Sequence, residues 1–209
     1  MREIGGAMKV TLGNLEEARR NPVAYKQKLL AAEKPFIRTG YNALLQATIL
    51  QYHRENLTPD QARERMTHKY HQRFTTPKGL EEITQSFGAY LDECAAQNNL
   101  ATITHQRLRL QLPEDIAASF EVTGKLPRLD TTSDGYAAWL FSKSHAEWQQ
   151  ELRMPLIQAA VAADLGVDVD EVTVGVYCFD DGRHTAYQFN EADIASATAE
   201  LRGLLLQLA

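Results

Sequence analysis

The sequence contains little cysteine and no long apolar stretch. Its 209 residues include two cysteines, Cys94 and Cys178, which are too few for a disulfide scaffold, a four-cysteine zinc site or an iron–sulfur cluster. No run approaches the ~18 consecutive apolar residues of a transmembrane helix, and residues 1–7 lack the apolar centre of a secretory signal. We therefore expect a cytoplasmic protein without a membrane segment.

Phosphate-binding loops and repeats are also missing. The chain has no glycine-rich phosphate loop, no internal repeat, no low-complexity segment and no Ser-His-Asp grouping that spacing alone would indicate. Hydrophobic residues make up 44% and charged residues 23%, which is typical of a globular protein. At this length we expect one domain, or a compact domain with a helical appendage.

Charge is unevenly distributed along the chain. Residues 1–79 contain 14 Lys and Arg against 7 Asp and Glu, whereas residues 80–209 contain 8 against 20. A basic segment of this kind attracts nucleic-acid phosphates, or docks on the acidic part of its own chain or of a second copy. The candidate phosphate-binding residues of this segment are Arg19, Arg20, Lys26, Lys28, Arg63, Arg65, Lys69 and Arg73.

The spacing of apolar residues predicts helices in the first hundred residues. Asn14 is expected to cap a helix that bends at Pro22, and a second helix is expected over about 39–55. Thr58 and Thr76 each precede a proline, a pattern typical of helix starts. We therefore predict an N-terminal helical region over residues 1–99.

Alternating and continuous apolar runs predict strands in the rest of the chain. The predicted strands are 107–112, 120–126, 136–141, 172–179 and 185–189. The continuous run 136–141 indicates a central strand covered on both faces. Helices are expected from Pro155 and after Asn190. Residues 100–209 therefore predict an α/β or α+β core, with a mixed central sheet of about five strands flanked by helices.

Several short segments resemble a known family in their order and spacing. Residues 122–130, 134–136, 140–143 and 155–158, with the earlier 21–25, are similar to the core segments of RecB-type PD-(D/E)XK nucleases, which include CRISPR-associated exonucleases. The resemblance implies a restriction-endonuclease-like core. It also implies a site in which two strand carboxylates hold Mg²⁺ or Mn²⁺, beside a lysine that positions the scissile phosphate or the attacking water.

The family positions that would hold the metal have lost their oxygen ligands. The motif glycine corresponds to Gly124, the first carboxylate to Pro127, the second to Phe141 and the lysine to Lys143. Proline and phenylalanine cannot bind a hard cation. Three further family positions are Gln158, which is kept, and Leu44 and Ala162, where the family has histidine and tyrosine.

These replacements favour a protein without catalytic activity or cofactor. The resemblance then implies a degenerate nuclease-like module that binds protein or nucleic acid, with DNA recombination, repair or phage defence as context by analogy of fold. The acidic net charge of −5 favours a partner protein or self-association. Nucleic acid is the other candidate partner, through the basic helices and Lys143, and Gln158 would be a vestige of the family site.

The alternative is a Mg²⁺- or Mn²⁺-dependent DNA nuclease whose carboxylates have moved. Asp130 is the best replacement because it follows the predicted strand end, and Glu121 is the second. Other acids in the region are Asp134, Glu147 and Glu151. Two weaker candidates are the histidine pair His68 and His71, at i and i+3, and His145 beside Lys143; surface residues without a role are the simpler interpretation of these.

Overall fold

The structure is a computed structural model that describes residues 7–31, 40–97, 100–144 and 147–209. Its strands are β1 (Met8–Thr11), β2 (Ala101–Arg109), β3 (Phe120–Thr132), β4 (Gly135–Ser142), β5 (Val172–Cys178) and β6 (Arg183–Tyr187). Its α-helices are α1 (Leu15–Arg20), α2 (Pro22–Leu30), α3 (Tyr41–Arg54), α4 (Pro59–His71), α5 (Pro77–Ala96), α6 (Glu114–Ala117), α7 (Arg153–Leu165) and α8 (Glu191–Leu208).

The strands of the described residues form one mixed sheet. Its order is β1-β3-β4-β5-β6, and β2 also pairs with β3. The β1–β3 and β4–β5 pairs are parallel and the others antiparallel. Thr123 pairs with both β1 and β2, and Leu129 with both β2 and β4, so β1 and β4 share the edge of β3 opposite β2. The predicted α/β class with helical cover is confirmed. β1 is additional to the predicted strands because four residues are too few to show apolar alternation.

Local signals place most helix starts correctly. Thr58 forms the expected capping box at α4, and Asn190 caps α8. The prediction for Asn14 is wrong, since its side chain makes no capping hydrogen bond. The bend predicted at Pro22 is a break: α1 ends at Arg20, and Asn21 caps α2 by accepting from the Ala24 amide at 3.0 Å.

The alternation of side chains along β3 changes at Pro127. Leu126 and Leu129 face the same apolar core, although residues three apart in a regular strand face opposite ways. The β2–β3 register leaves out only Pro127 and the residue opposite it, His105, whose φ is +60°. This irregularity turns Arg128 and Asp130 toward the other face of the sheet.

Helices cover both faces and enclose two apolar cores. The first core lies under α1, α2, α6, α7 and α8 and includes Leu15, Leu126 and Val161. The second core lies under α3, α4 and α5 and includes Ile49 and Phe87. The covering on both faces explains why β4 is buried over 137–140, as the continuous apolar run 136–141 predicts.

Two strand predictions were too short or displaced. β2 spans Ala101–Arg109, not 107–112, and β3 continues to Thr132, not 126. Asp130 is therefore a residue within a strand and not a turn residue after one. The division of the chain at residues 99 and 100 stays a prediction, although β1 contributes to the sheet from the N-terminal region.

Within the residues that the structure describes, no helix is both long and apolar enough to cross a lipid bilayer.

Candidate functional site

Pro127 of β3 and Phe141 of β4 are the positions that the sequence resemblance aligns with metal-binding carboxylates, and they lie on neighbouring strands. Pro127 occupies the stretch of β3 between the residues paired with β1 and those paired with β4. Phe141 points into the second core, where its ring stacks on Phe179 with centroids 5.6 Å apart and lies 6.2 Å from the ring of Tyr177. The rings of Phe141 and Phe179 carry no oxygen, and burial raises the pKa of Tyr177, so its hydroxyl stays protonated. None of the three supplies the carboxylate that Mg²⁺ or Mn²⁺ would need, so the residues present do not fit such a metal.

Lys143 and Gln158, the two residues that the resemblance predicts as retained, have separate surroundings. Lys143 is exposed just after β4, and its backbone carbonyl accepts from the Cys178 thiol at 3.3 Å. Gln158 is buried on α7, on the face of the sheet opposite Phe141. Its carboxamide donates to the carbonyls of Val169 and Phe189, at 3.0 and 2.9 Å, and accepts from the Phe189 amide at 2.8 Å. These bonds connect α7 to the segment before α8, a packing role.

Asp130 is the carboxylate at the centre of the sheet, and it is fully buried. Arg128, two residues earlier and on the same face, donates from Nε to Oδ1 at 2.8 Å and approaches Oδ2 with Nη2 at 2.6 Å. Thr102, opposite Asp130 on β2, donates to Oδ1 at 2.7 Å. The Trp139 indole on β4 donates to Oδ2 at 2.8 Å. Both carboxylate oxygens therefore accept hydrogen bonds from neighbouring protein groups.

Trp139 reaches this carboxylate because the neighbouring strand offers space. Gly175, opposite Trp139 on β5, has no side chain, and a Cβ there would collide with the indole ring. The packing of the indole on β5 therefore depends on a glycine at this position.

The Arg128 guanidinium connects Asp130 to a second layer of polar groups. Its Nη1 donates to the Tyr90 hydroxyl at 2.6 Å and lies 3.2 Å from Nε2 of His184. The Tyr90 hydroxyl is also 2.5 Å from Nε2 of His53. A hydrogen-bonded chain thus runs from Asp130 through Arg128 and Tyr90 to His53, across β3, α5 and α3.

Both histidines of this network are held in the neutral form. Burial, together with the nearby positive charge of Arg128, lowers the pKa of His53 to about 3. The same causes, with a smaller effect of His53, lower the pKa of His184 to about 3. Burial also raises the pKa of Tyr90 well above its usual value. Neither histidine therefore exchanges a proton near neutral pH.

The other acids proposed as metal ligands lie apart from Asp130. Glu121 precedes it by nine residues of the same strand, roughly 30 Å at the rise of a strand. Asp134 is exposed in the turn after β3, and Glu147 is exposed beyond β4. Across residues 7–31, 40–97, 100–144 and 147–209, no three His, Cys, Asp or Glu side chains could together hold a metal ion.

The predicted phosphate-binding residues fall into two groups. One group lies on α1 and α2, which cover the first core, and the other lies on or just after α4, which covers the second. The structure therefore separates them onto helices on opposite faces of the sheet. Four of these cations pair with carboxylates of the chain: Arg19 with Glu200, Lys28 with Glu17, Arg63 with Asp60 and Arg65 with Glu55.

The remaining sequence candidates lie on the surface or in the packing. His68 and His71 are exposed on α4, where His68 contacts the Gln72 side chain at 3.0 Å. His145 lies outside the described residues. Cys178 is buried in β5. The Cys94 sulfur accepts a hydrogen bond from Nη2 of Arg128 at 3.6 Å.

A different set of cations does converge, between α3, α4 and the β2–β3 pair. A groove of about 400 Å³ is lined by Arg54, Lys69 and His105 together with small and amide side chains. Arg107 and Lys125 lie directly opposite each other on β2 and β3. Their neighbours Leu108 and Leu126 face the first core, so both cations face the side of α3 and α4. We name Arg54, Lys69, His105, Arg107 and Lys125 the basic strip.

The charge of the basic strip is only partly compensated. Lys69 donates to Gln51 at 2.7 Å and Arg54 to Glu55 at 3.0 Å. No residue that lines the groove, within the described part of the chain, carries a carboxylate. Burial, with the nearby charges of Arg54 and Lys125, lowers the pKa of His105. Like charges directly opposite each other on neighbouring strands are destabilising, so an anion on this surface would relieve the repulsion.

Sequence reasoning missed four of the five residues of the basic strip. Only Lys69 is among the predicted phosphate-binding residues. The others come from α3, β2 and β3 and are far apart in the chain, so net charge over a segment could not group them. The one available signal is the basic alternation in β2, where Arg107 and Arg109 flank a buried leucine.

The comparisons with known proteins support the fold alone. The chain matches no protein-family model and no curated protein. It is similar to the crystal structure of a "putative exonuclease" from Eubacterium rectale, with a TM-score of 0.58 and 7% identity over 96% of this chain and 81% of that one. A second structure, called SSO0001, gives a TM-score of 0.37 and 11% identity over 91% and 86%, which is too distant to support an argument. The protein therefore has a mixed α/β, nuclease-like fold.

Proposed function

We propose that this protein is a catalytically degenerate relative of the PD-(D/E)XK nucleases that serves as a binding module. The observation that carries the proposal is the environment of Asp130. The buried carboxylate of Asp130, near the proposed family site, is bound by Arg128, Thr102 and Trp139. In this proposal Phe141 takes the position of the second ligand. Arg128 supplies the positive charge that a metal would otherwise bring to this carboxylate.

A divalent cation would have to displace these groups. Mg²⁺ needs about six oxygen ligands in near-octahedral geometry, several of them water. The carboxylate of Asp130 lies under a guanidinium that is itself fully buried, so a second cation would meet strong repulsion in a region of low dielectric. The same argument weighs against the alternative of a nuclease with relocated ligands.

The partner that the geometry supports best is a nucleic acid, bound through its phosphates. The basic strip crosses the surface beside Pro127, so it lies next to the position of the family site. Its cations are spread over two strands and two helices, which suits a linear polyanion more than a single carboxylate. A partner protein with an acidic surface, or a second copy of this chain, is the competing outcome.

The absence of metal-dependent cleavage is tested by titration with Mn²⁺. We expect no Mn²⁺-dependent rise in melting temperature and no cleavage of linear or nicked DNA by the full chain. Cleavage that requires Mn²⁺ and disappears in the Lys143→Ala variant would show an active nuclease and overturn the proposal. Lys143 is exposed, so its replacement leaves the fold intact.

The nucleic-acid partner is tested by fluorescence anisotropy with labelled oligonucleotides at increasing salt. We expect the logarithm of the affinity to fall linearly with the logarithm of the salt concentration. The Arg107→Glu/Lys125→Glu variant should bind much more weakly. Its matched control, Arg20→Glu/Arg73→Glu, makes the same charge change at exposed residues outside the strip and should bind like the wild type.

Two results would contradict this partner assignment. Loss of binding in the control variant but not in the strip variant would show that the interface lies on the basic helices of the N-terminal region and not on the strip. No detectable binding at low salt would make the strip a surface for an acidic protein partner, and sedimentation of the chain alone would then show whether that partner is a second copy.

A further inference from the structure

A second cavity lies on the other side of α3 from the basic groove. It measures about 540 Å³ and is open to solvent, between the C-terminal ends of α3 and α5 and the start of β2. The lining residues that matter here are Tyr52, His53, Asn56, Leu100 and Thr102. This volume suits a small organic ligand.

His53 presents a fixed hydrogen-bond donor at this cavity. The Arg128 guanidinium can only donate, so the Tyr90 hydroxyl accepts its hydrogen bond and gives its own hydrogen to the nearest acceptor, Nε2 of His53 at 2.5 Å. The neutral His53 ring therefore carries its hydrogen on Nδ1. Among the described residues, that nitrogen has no hydrogen-bond partner. It is also not fully buried, so it is available to a ligand.

The remaining lining residues combine uncharged polar groups with apolar side chains. Asn56 holds a left-handed backbone with φ of +48° just after α3 and contributes a carboxamide, which can both donate and accept. The Thr102 hydroxyl gives its hydrogen to Asp130 and keeps its lone pairs as acceptors. Tyr52 and Leu100 add apolar surface. None of the lining residues within the described chain is Lys, Arg, Asp or Glu.

We propose that this cavity binds a neutral, planar heterocycle that carries donor and acceptor groups on one edge, such as a nucleobase or a nucleoside. A ring acceptor would take the hydrogen of His53, an exocyclic amine would donate to Asn56 or Thr102, and the flat faces would lie against Tyr52 and Leu100. Such a ligand has no charge to place in the cavity. The proposal does not rest on binding of a polymer to the basic strip, because a free nucleoside tests it directly.

The test is calorimetric titration of the full chain with adenosine, guanosine, cytidine and uridine, with amide chemical shifts as the second readout. We expect at least one nucleoside to saturate and to shift the amide signals of the residues lining the cavity. The His53→Phe variant keeps an aromatic ring but loses the donor, and its affinity should fall by about tenfold, the worth of one hydrogen bond.

A second pair of variants avoids the buried network. Ala95 lines the cavity, and its neighbour Ala96, also exposed on α5, does not. Ala95→Trp should fill the cavity and abolish nucleoside binding, whereas Ala96→Trp should bind like the wild type. Failure of every nucleoside to saturate, or unchanged affinity in Ala95→Trp, would overturn the proposal. The Ala95→Trp variant leaves the basic strip unchanged, so its binding to oligonucleotides, measured by anisotropy, tests the strip independently of the cavity.

Discussion

Asp130 and Arg128 stand two residues apart on β3, so their side chains share one face and form a two-point ion pair without solvent contact. Such a pair is costly to desolvate and stable only if its remaining groups are bonded. Here the remaining donors of Arg128 reach Tyr90 and Gln97, and the carboxylate accepts from Trp139. The guanidinium and the carboxylate of this pair therefore both have further hydrogen-bond partners within the fold.

Removal of the guanidinium tests this network. The Arg128→Met variant leaves a buried carboxylate without its counter-charge, and we expect the free energy of unfolding to fall by about 3 to 5 kcal/mol. Replacement of both partners, Arg128→Met with Asp130→Leu, should lower the free energy of unfolding by less than Arg128→Met alone. Urea unfolding of the three proteins measures this, and a single variant as stable as the wild type would contradict the role assigned to the pair.

His184 gives the network a dependence on pH. Its folded pKa of about 3 lies below the ~6.5 of an unfolded histidine, so unfolding takes up a proton between these values. Stability from this group is complete above about pH 6.5 and is lost as the pH falls toward 3. The side chain is 3% exposed, so acidification from pH 7 to pH 5 should remove about 2 kcal/mol through His184.

The His184→Gln variant isolates this contribution. It keeps an acceptor for Arg128 but has no titrating group. Urea unfolding at pH 7 and at pH 5 should show a smaller loss of stability in the variant than in the wild type. Equal losses in the two proteins would mean that His184 is protonated in the folded state at pH 5.

At the scale of elements, the packing of β4 against β5 depends on the close contact between Trp139 and Gly175. Trp139 of β4 occupies the space above Gly175 of β5. The Gly175→Ala variant should overpack this contact and lower the free energy of unfolding by about 1 to 3 kcal/mol. Gly203 of α8 is the matched control, since a Cβ there meets nothing within 4 Å.

The control should change stability in the opposite direction. Alanine is the better helix former, so Gly203→Ala is expected to raise the free energy of unfolding by about 0.5 to 1 kcal/mol. Chemical denaturation of both variants gives the comparison. A Cβ at Gly175 would also meet the backbone carbonyl of Thr185 on β6. Similar effects at the two glycines would therefore show that both the indole and the β6 backbone can move aside at no cost in stability.

Elements with strong local signals could be predicted from the sequence, and those set by distant contacts could not. Thr58 followed by proline located the start of α4, and the continuous apolar run located β4 between two cores. Asp130 was expected to follow a strand that ends at Leu126, yet the pairing with β2 and β4 extends β3 to Thr132. The change of face at Pro127 depends on His105 in another strand, which no local pattern shows.

At the scale of the whole molecule, the N-terminal region completes the core. β1 pairs with β3, Leu15 and Tyr25 belong to the first core, and α3 to α5 cover the second. A fragment of residues 100–209 would expose both apolar surfaces. We expect it to lack cooperative thermal unfolding and dispersed amide signals, in contrast to the full chain; a fragment that folds alone would show that the N-terminal region is an appendage.

The fold also explains which parts of the candidate site could be predicted from the sequence. The sequence alone predicted Pro127 and Phe141 as replacements of metal ligands, because the resemblance compares residues at fixed spacing. The buried partner of Asp130 could not be predicted, because an arginine next to a proline and a leucine gives no sign that it is fully enclosed. The basic strip and the cavity beside His53 arise only when α3 packs over β2.

The central proposal is that this nuclease-like fold has Arg128 and aromatic rings where the PD-(D/E)XK nucleases hold a metal. Electron paramagnetic resonance of Mn²⁺ tests it most directly, because free Mn²⁺ gives a six-line spectrum that is lost on binding to protein. We expect the protein to leave the intensity of this spectrum unchanged. A stoichiometric loss of intensity that is abolished in the Asp130→Asn variant would contradict it.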